Sequence, residues 1–241
     1  MRLNLPTPRS ALAIVAHPDD AEFQCGATLA KWAAAGAVIH HLVCTDGSKG
    51  SWDVQEDTAA LVATRQAEQR AAARALGATG EQVFLTNVDG ELEAGREQVA
   101  EVCRWIRTLQ PEVVLGHDPW RRWRLHPDHR AAGFLCTDGV VAARDPHFFP
   151  EQGIAHHRPS AILLFESEAP DHAEDVTGHV DAKIGALLEH TSQFVTTHDI
   201  TDASDDAQVA RFRRHVEDRL AGFGARVGVR HAELFKLIDR V

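Results

Sequence analysis

A chain of 241 residues, 44% hydrophobic and 25% charged, is long enough and apolar enough to bury a full core as one α/β domain spanning 1–241. Its formal net charge of −10 argues against nucleic acid or an anionic membrane as partner, since both select basic surface, and leaves a small polar substrate open. No window reaches the apolar length of a membrane span, Met1–Pro6 lacks the apolar run of a signal peptide, and Cys25, Cys44, Cys103 and Cys136 form neither a C-x-x-C pair nor a disulfide scaffold, so the expected setting is the reducing cytoplasm.

Ser10 to Ala16 is a short apolar run of the kind a buried parallel strand requires. It ends at Ala16-His17-Pro18-Asp19-Asp20-Ala21-Glu22, an imidazole with three carboxylates. Ala21 to Ala35 follows with helical spacing and a stop at Gly36. Val38 to Cys44 predicts a second strand, Thr45 to Ser51 a polar, glycine-rich loop, and Thr58 to Leu76 a helix closed by Gly77. Gln82 to Thr86 reads as a strand before an Asn87-Val88-Asp89-Gly90 loop, and Glu97 to Leu109 as a helix. Pro111 forces a break before the strand Glu112 to Gly116. A loop from His117 to Arg124 precedes the second cluster, His126-Pro127-Asp128-His129, and a helix from Asp128 to Ala143. Beyond Asp145 the pattern is less regular: a strand at Ala161 to Glu166, then helices at Val180 to His190 and Ala207 to Ala221. The alternation predicts a Rossmann-like three-layer α/β sandwich with a mostly parallel sheet.

Ligands bind an open parallel sheet at the carboxyl ends of its strands. Both clusters stand there, so neighbouring strands would bring segments over a hundred residues apart to one crevice. Imidazole and carboxylate drawn from separate segments suit a catalytic metal site with an open position, whereas structural zinc sites are compact and rich in thiolate. His17, Asp20 and one histidine of the second cluster would be three ligands. Asp19 would face the attacking water as general base, and the remaining histidine would stabilise an oxyanion. Each cluster alone also reads as a helix cap. His40-His41 and His156-His157 lack neighbouring carboxylates and read as structural or solvated.

These two motifs resemble those of the LmbE-like, or PIG-L, family of zinc-dependent N-acetylglucosaminyl deacetylases. Arg65-Gln66-Ala67-Glu68, Asp89-Gly90, the segment from Lys183 to His190-Thr191-Ser192-Gln193, and His231-Ala232-Glu233-Leu234-Phe235 extend the likeness over nearly the whole chain. The resemblance implies His17, Asp20 and His129 as metal ligands, Asp19 as base and His126 as protonated stabiliser. It further implies Asp128 behind a ligand imidazole, and Arg65 and Asp89 on sugar hydroxyls. For Arg65 a surface ion pair with Glu68, and for Asp89 a turn role, compete with substrate contact. The implied cofactor is Zn2+, with Fe2+ accepted by the same ligands. The implied partner is a small amino-sugar conjugate, with a homo-oligomer left open. The implied reaction is removal of an N-acetyl group by water. An amidase cleaving a larger N-acyl or thiol-conjugate amide is the alternative, ahead of a non-catalytic metal-binding or nucleotide-binding module. Some family members place a tyrosine near the second motif. This chain has no tyrosine and carries Trp120-Arg121-Arg122-Trp123-Arg124-Leu125 there, a stretch that fits either a sugar platform with an anion clamp or a loop of snorkelling arginines.

Overall fold

Eight strands form one sheet in the computed structural model, which describes residues 1–241. They are β1 (Arg2–Leu3), β2 (Ser10–Val15), β3 (Val38–Thr45), β4 (Gln82–Asn87), β5 (Val113–His117), β6 (Ala161–Phe165), β7 (His172–Asp175) and β8 (Ala232–Ile238), in the order β1-β7-β8-β6-β5-β2-β3-β4. β8 runs antiparallel to β6 and β7, and every other pairing is parallel. The predicted class therefore holds, as a mixed sheet with helices on both faces.

Alternation along the strands builds two cores. Leu12, Ile14, Leu42 and Val114 face one way, onto α3 (Arg96–Leu109) and α4 (Pro127–Arg144). Ala13, Val15, Val43 and Leu115 face the other, onto α1 (Asp20–Ala34), α2 (Thr58–Ala75) and α5 (Val180–Leu188). A third, smaller core joins α5 to α6 (Asp206–Ala225) through Ile184, Leu187, Phe212 and Val216. No helix is long and apolar enough to cross a membrane. All four cysteines are free and buried.

Where the strands end decides where the site lies. From β2 the chain builds outward through β3 and β4, then returns to lay β5 on β2's other side. This reversal opens a crevice between the carboxyl ends of β2 and β5, and both histidine–carboxylate clusters meet there. Close packing seats α4 over it. A Cβ at Gly133 would stand 2.7 Å from the His117 carbonyl oxygen, and one at Gly116 would stand 2.6 Å from Cys136 Sγ, so glycine alone permits this approach.

Three strands depart from the sequence expectation. β1 has two residues, β7 carries three ionisable side chains in four, and β8 shows itself in sequence only as a motif. Their pairing rests on long-range hydrogen bonds that local patterning does not encode. His117, expected to open a loop, is instead the last residue of β5. The helix expected to reach His190 stops at Leu188 and gives way to a 3-10 turn (Thr191–Gln193) and a π-helical turn (Phe194–His198).

Candidate active site

Asp19 turns the chain from β2 into α1 with φ 99°, a left-handed conformation that costs a non-glycine residue about 1–3 kcal/mol. That turn is held from behind. The Asp19 amide donates to Gln69 Oε1 at 2.9 Å, and Gln69 Nε2 donates to the fully buried Glu22 at 2.8 Å. Neither cluster caps its own helix: Asp19 and His126 occupy the cap positions and make no side-chain cap bond. Their side chains are free for one another.

Ring nitrogens of His17 and His129 converge on each other and on the two oxygens of Asp20. His17 Nδ1 lies 3.1 Å from His129 Nε2 and 3.4 Å from Asp20 Oδ2, and His129 Nε2 lies 3.4 Å from Asp20 Oδ1. Ligand–metal bonds of about 2.0–2.1 Å in tetrahedral geometry need edges of about 3.3 Å. Asp128, fully buried, lies behind the His17 ring. Its Oδ2 is 3.1 Å from His17 Nε2, and its carboxylate accepts the amides of Gly90 at 2.6 Å and Leu92 at 3.2 Å. This carboxylate–imidazole pairing fixes which ring nitrogen faces the crevice. Asp89 Oδ1 also reaches His17 Nε2, at 3.2 Å. His126 stacks on His129 with ring centroids 5.0 Å apart and meets His17 edge-on at 4.6 Å.

His117 belongs to neither sequence motif. Buried at the end of β5, it brings Nε2 to 3.4 Å from Asp20 Oδ2 and Nδ1 to 3.3 Å from Glu166. It groups with Asp20 and His129 as one ligand-capable set, while His17 groups with His126 and His129 in another and with Asp89, His126 and Asp128 in a third. The one signal for His117 in the sequence is its place, an imidazole closing an apolar strand beside the other cluster. Arg65 is buried and makes no ion pair with Glu68. Its guanidinium donates to the carbonyls of Gly47 and Pro18, each at 2.8 Å, and stands 3.5 Å from Asp19 Oδ2. Glu68 instead accepts from Thr191 and from both the amide and the hydroxyl of Ser192.

The loop from Trp120 to Leu125 is not an open anion clamp. Arg121 and Arg124 both donate to Glu166 Oε1, at 2.9 and 2.7 Å, and Arg122 donates to Glu168. Trp120, Trp123 and Leu125 are all exposed, Trp120 with one edge against Phe134. His41 lies buried 3.8 Å from Glu22, and His157 bonds the Pro111 carbonyl, so each histidine pair has at least one structural member.

Charge shows what the site is suited to bind. Asp19, Asp20, Asp89 and Asp128 are all buried here, with Arg65 as the one permanently charged cation among them. Burial would lower the His17 pKa, but Asp128, Asp20 and Asp89 outweigh it and hold it well above 6.5. Burial would raise Asp20, yet His117 and His17 hold it well below 3.8. Asp19 goes the other way: burial lifts it to about 6 against the pull of Arg65. The His126 pKa falls, through burial first and His17 second. His117 Nε2, 3.4 Å from Asp20, remains buried without a hydrogen bond; on His129 the unpaired nitrogen is Nδ1, while Nε2 faces His17 and Asp20. Surplus carboxylate, converging imidazoles and unpaired ring nitrogens fit a bound divalent cation. The cavity in front of this group measures about 650 Å3 and is lined by His17, Asp19, Asp20, His126 and His129, with Trp52 at its exposed edge.

Residues 12–140 match the family model described as PIG-L, GlcNAc-PI de-N-acetylase. The diacetylchitobiose deacetylase of Thermococcus kodakarensis is 33% identical over 189 residues, 77% of this chain and 70% of that one. The 1D-myo-inositol 2-acetamido-2-deoxy-alpha-D-glucopyranoside deacetylase of Actinosynnema mirum is 30% identical over 242 residues, covering 82% of this chain and 85% of that one. Among solved structures, the N,N'-diacetylchitobiose deacetylase of Pyrococcus horikoshii superposes with a TM-score of 0.85 at 28% identity, over 96% of this chain and 84% of that one.

Proposed function

Because this chain belongs to the PIG-L family, we propose that it is a metal-dependent hydrolase that removes the N-acetyl group from an N-acetylglucosamine-type conjugate. One observation carries the reading: the His17–Asp20–His129 triangle, with edges of 3.1 to 3.4 Å, shares its cavity with the carboxylate of Asp19.

His17, Asp20 and His129 would hold the metal, with zinc the ion whose geometry and donor set they suit. When bound, such an ion supplies Lewis acidity, polarising an acyl oxygen and lowering the pKa of water toward ~7. Asp19 removes a proton from the attacking water. A carboxyl near pKa 6 is well matched to that task, being ionised at neutral pH yet basic enough to hold the proton. Arg65 and the Gln69 amide hold Asp19 in its left-handed turn. His126, expected as a protonated stabiliser, has its pKa lowered by burial and then by His17, so it would instead donate an N–H as a neutral imidazole to the acyl oxygen as negative charge develops. Asp19 then passes its proton to the departing nitrogen. The C–N bond breaks, and the water's oxygen leaves in acetate while the sugar keeps an amine. Asp128 orients His17 throughout, and Asp89 stands beside it at the cavity wall.

The test is acetate release from N-acetylglucosaminides by enzyme stripped of metal and reloaded with zinc or ferrous ion. Metal-restored acetate release is expected. No acetate here, with release of the larger acid from glucosaminides carrying a longer N-acyl group, would move the reading to an amidase, and full activity without metal would overturn it.

A further inference from the structure

Asp19 enters its left-handed turn through the Pro18–Asp19 peptide, and α2 grips that peptide by both of its polar atoms. Arg65 donates to the Pro18 carbonyl at 2.8 Å. Gln69, four residues on and so on the same helix face, accepts the Asp19 amide on Oε1 at 2.9 Å. Gln69 is fully buried and does not line the cavity in front of the metal group, so it reaches no substrate. Its other end donates from Nε2 to Glu22 Oε1 at 2.8 Å. Glu22 is fully buried as well, with His190 Nε2 3.5 Å from its Oε2 and His41 Nε2 3.8 Å from its Oε1.

These contacts give the Gln69 amide one permitted orientation. A carboxylate only accepts, so Nε2 must face Glu22 and Oε1 must face Asp19. Turned over, the amide would set N–H against N–H at Asp19 and oxygen against oxygen at Glu22, both in the protein interior, where unmatched polar atoms cost most. Resting on the deacetylase reading, we propose that Gln69 is a positioning residue for the base: oriented by Glu22, it fixes the Pro18–Asp19 peptide and thereby the point from which the Asp19 carboxylate takes the proton of the attacking water. Asp20, next in the chain, is held separately, its Oδ2 accepting the His17 amide at 2.8 Å. Loss of Gln69 therefore reaches the base and spares the metal ligand.

The experiment measures acetate release from phenyl N-acetylglucosaminide by the full chain, each rate taken per folded, zinc-loaded molecule. Gln69→Leu should lower kcat by about 10–100-fold, the range for a reacting group moved out of place, with KM and zinc content unchanged. Gln69→Glu should lose as much, because two buried carboxylates then face each other. Adding Glu22→Gln to Gln69→Glu exchanges the two side chains. A carboxylate at position 69 then accepts from the Asp19 amide and from the side-chain amide at position 22, and most of kcat should return. A merely structural loss would not be repaired in this way, since both single changes would add. Should Gln69→Leu fail to fold, the exchange decides the same question. Unchanged kcat in Gln69→Leu, zinc lost together with activity, or an exchange no faster than Gln69→Glu alone overturns the positioning role and leaves the deacetylase reading intact. No acetate from the unmodified chain overturns that reading and the positioning role with it.

Discussion

The protein buries charge at two places along α1, and the two are built on opposite terms. Beside its middle, Lys183 and Glu233 pair at 2.6 Å with everything matched: Lys183 also donates to the Phe23 carbonyl, and Glu233 accepts the amides of Ala27 and Thr28. One cation meets one anion, and the pair stitches α5 and β8 to α1. At the N-terminal end four buried carboxylates surround one arginine and a group of imidazoles, with ring nitrogens left unpaired. A buried pair that neutralises itself asks for nothing further. A buried group in charge surplus asks for a cation, and the contrast separates a structural cluster from a functional one where burial alone does not.

Substitution at each place sharpens that contrast. Asp19→Asn should lower kcat by about 10²–10⁴-fold, the usual span for a lost general base, with metal content unchanged by elemental analysis. Retained turnover would remove Asp19 from the mechanism. Lys183→Met should leave Glu233 buried and unpaired, at a cost of about 3–5 kcal/mol of folding stability in a denaturant titration. A loss below about 1 kcal/mol would mean the pair is not the structural cluster described here.

The same Asp19→Asn change should stabilise the metal-free protein. Its carboxyl is raised from 3.8 to about 6, so the folded state resists ionising it, and above pH 6 that penalty is fully present. Removing the charge should return on the order of 2–3 kcal/mol, read as a higher Tm at pH 8 and little change at pH 4. A Tm that falls at pH 8 would contradict the surplus-charge account.

The smallest expected effect concerns His190 behind the site. Burial lowers its pKa, but the hydrogen bond and charge of Glu22, 3.5 Å away, outweigh this and raise it above 6.5. Its contribution is therefore complete below pH 6.5 and is lost as pH rises through the higher folded value. Burial would raise Glu22, yet His190 holds it below 4.5, so Glu22 contributes above pH 4.5 and loses that contribution as pH falls through its lower folded value. His190→Gln should flatten the alkaline side of a Tm–pH curve. An unchanged slope there would take the pair out of the stability balance.

Much of this was legible in the chain. Apolar runs of five to eight residues, glycine stops and Pro111 marked the central strands and helices α1 to α5 to within a residue or two, because the relevant forces act between near neighbours, while α6 runs four residues past its expected end at Ala221. The site residues carried by short motifs were legible for the same reason. His17, Asp19 and Asp20 occupy one turn, as do His126, Asp128 and His129, so a strand end and a helix start suffice to group each set. What the sequence alone determined, then, was the alternation of elements, the residue types of the site and the two places on the chain where they gather.

Only the tertiary structure decided how those places combine. The order β5-β2-β3 makes the two clusters neighbours. The Asp128 carboxylate turns the His17 ring so that Nδ1 faces the crevice. His117, Glu166 and Gln69 join the site across dozens of residues with no motif of their own, and Glu22 and His190, each part of a motif, meet only in the fold. The strand β8, threaded antiparallel between β6 and β7, belongs to the same class. Each depends on contacts between segments distant in sequence, whose geometry is set by packing and by the pairing of buried polar atoms. Local propensity carries no record of either.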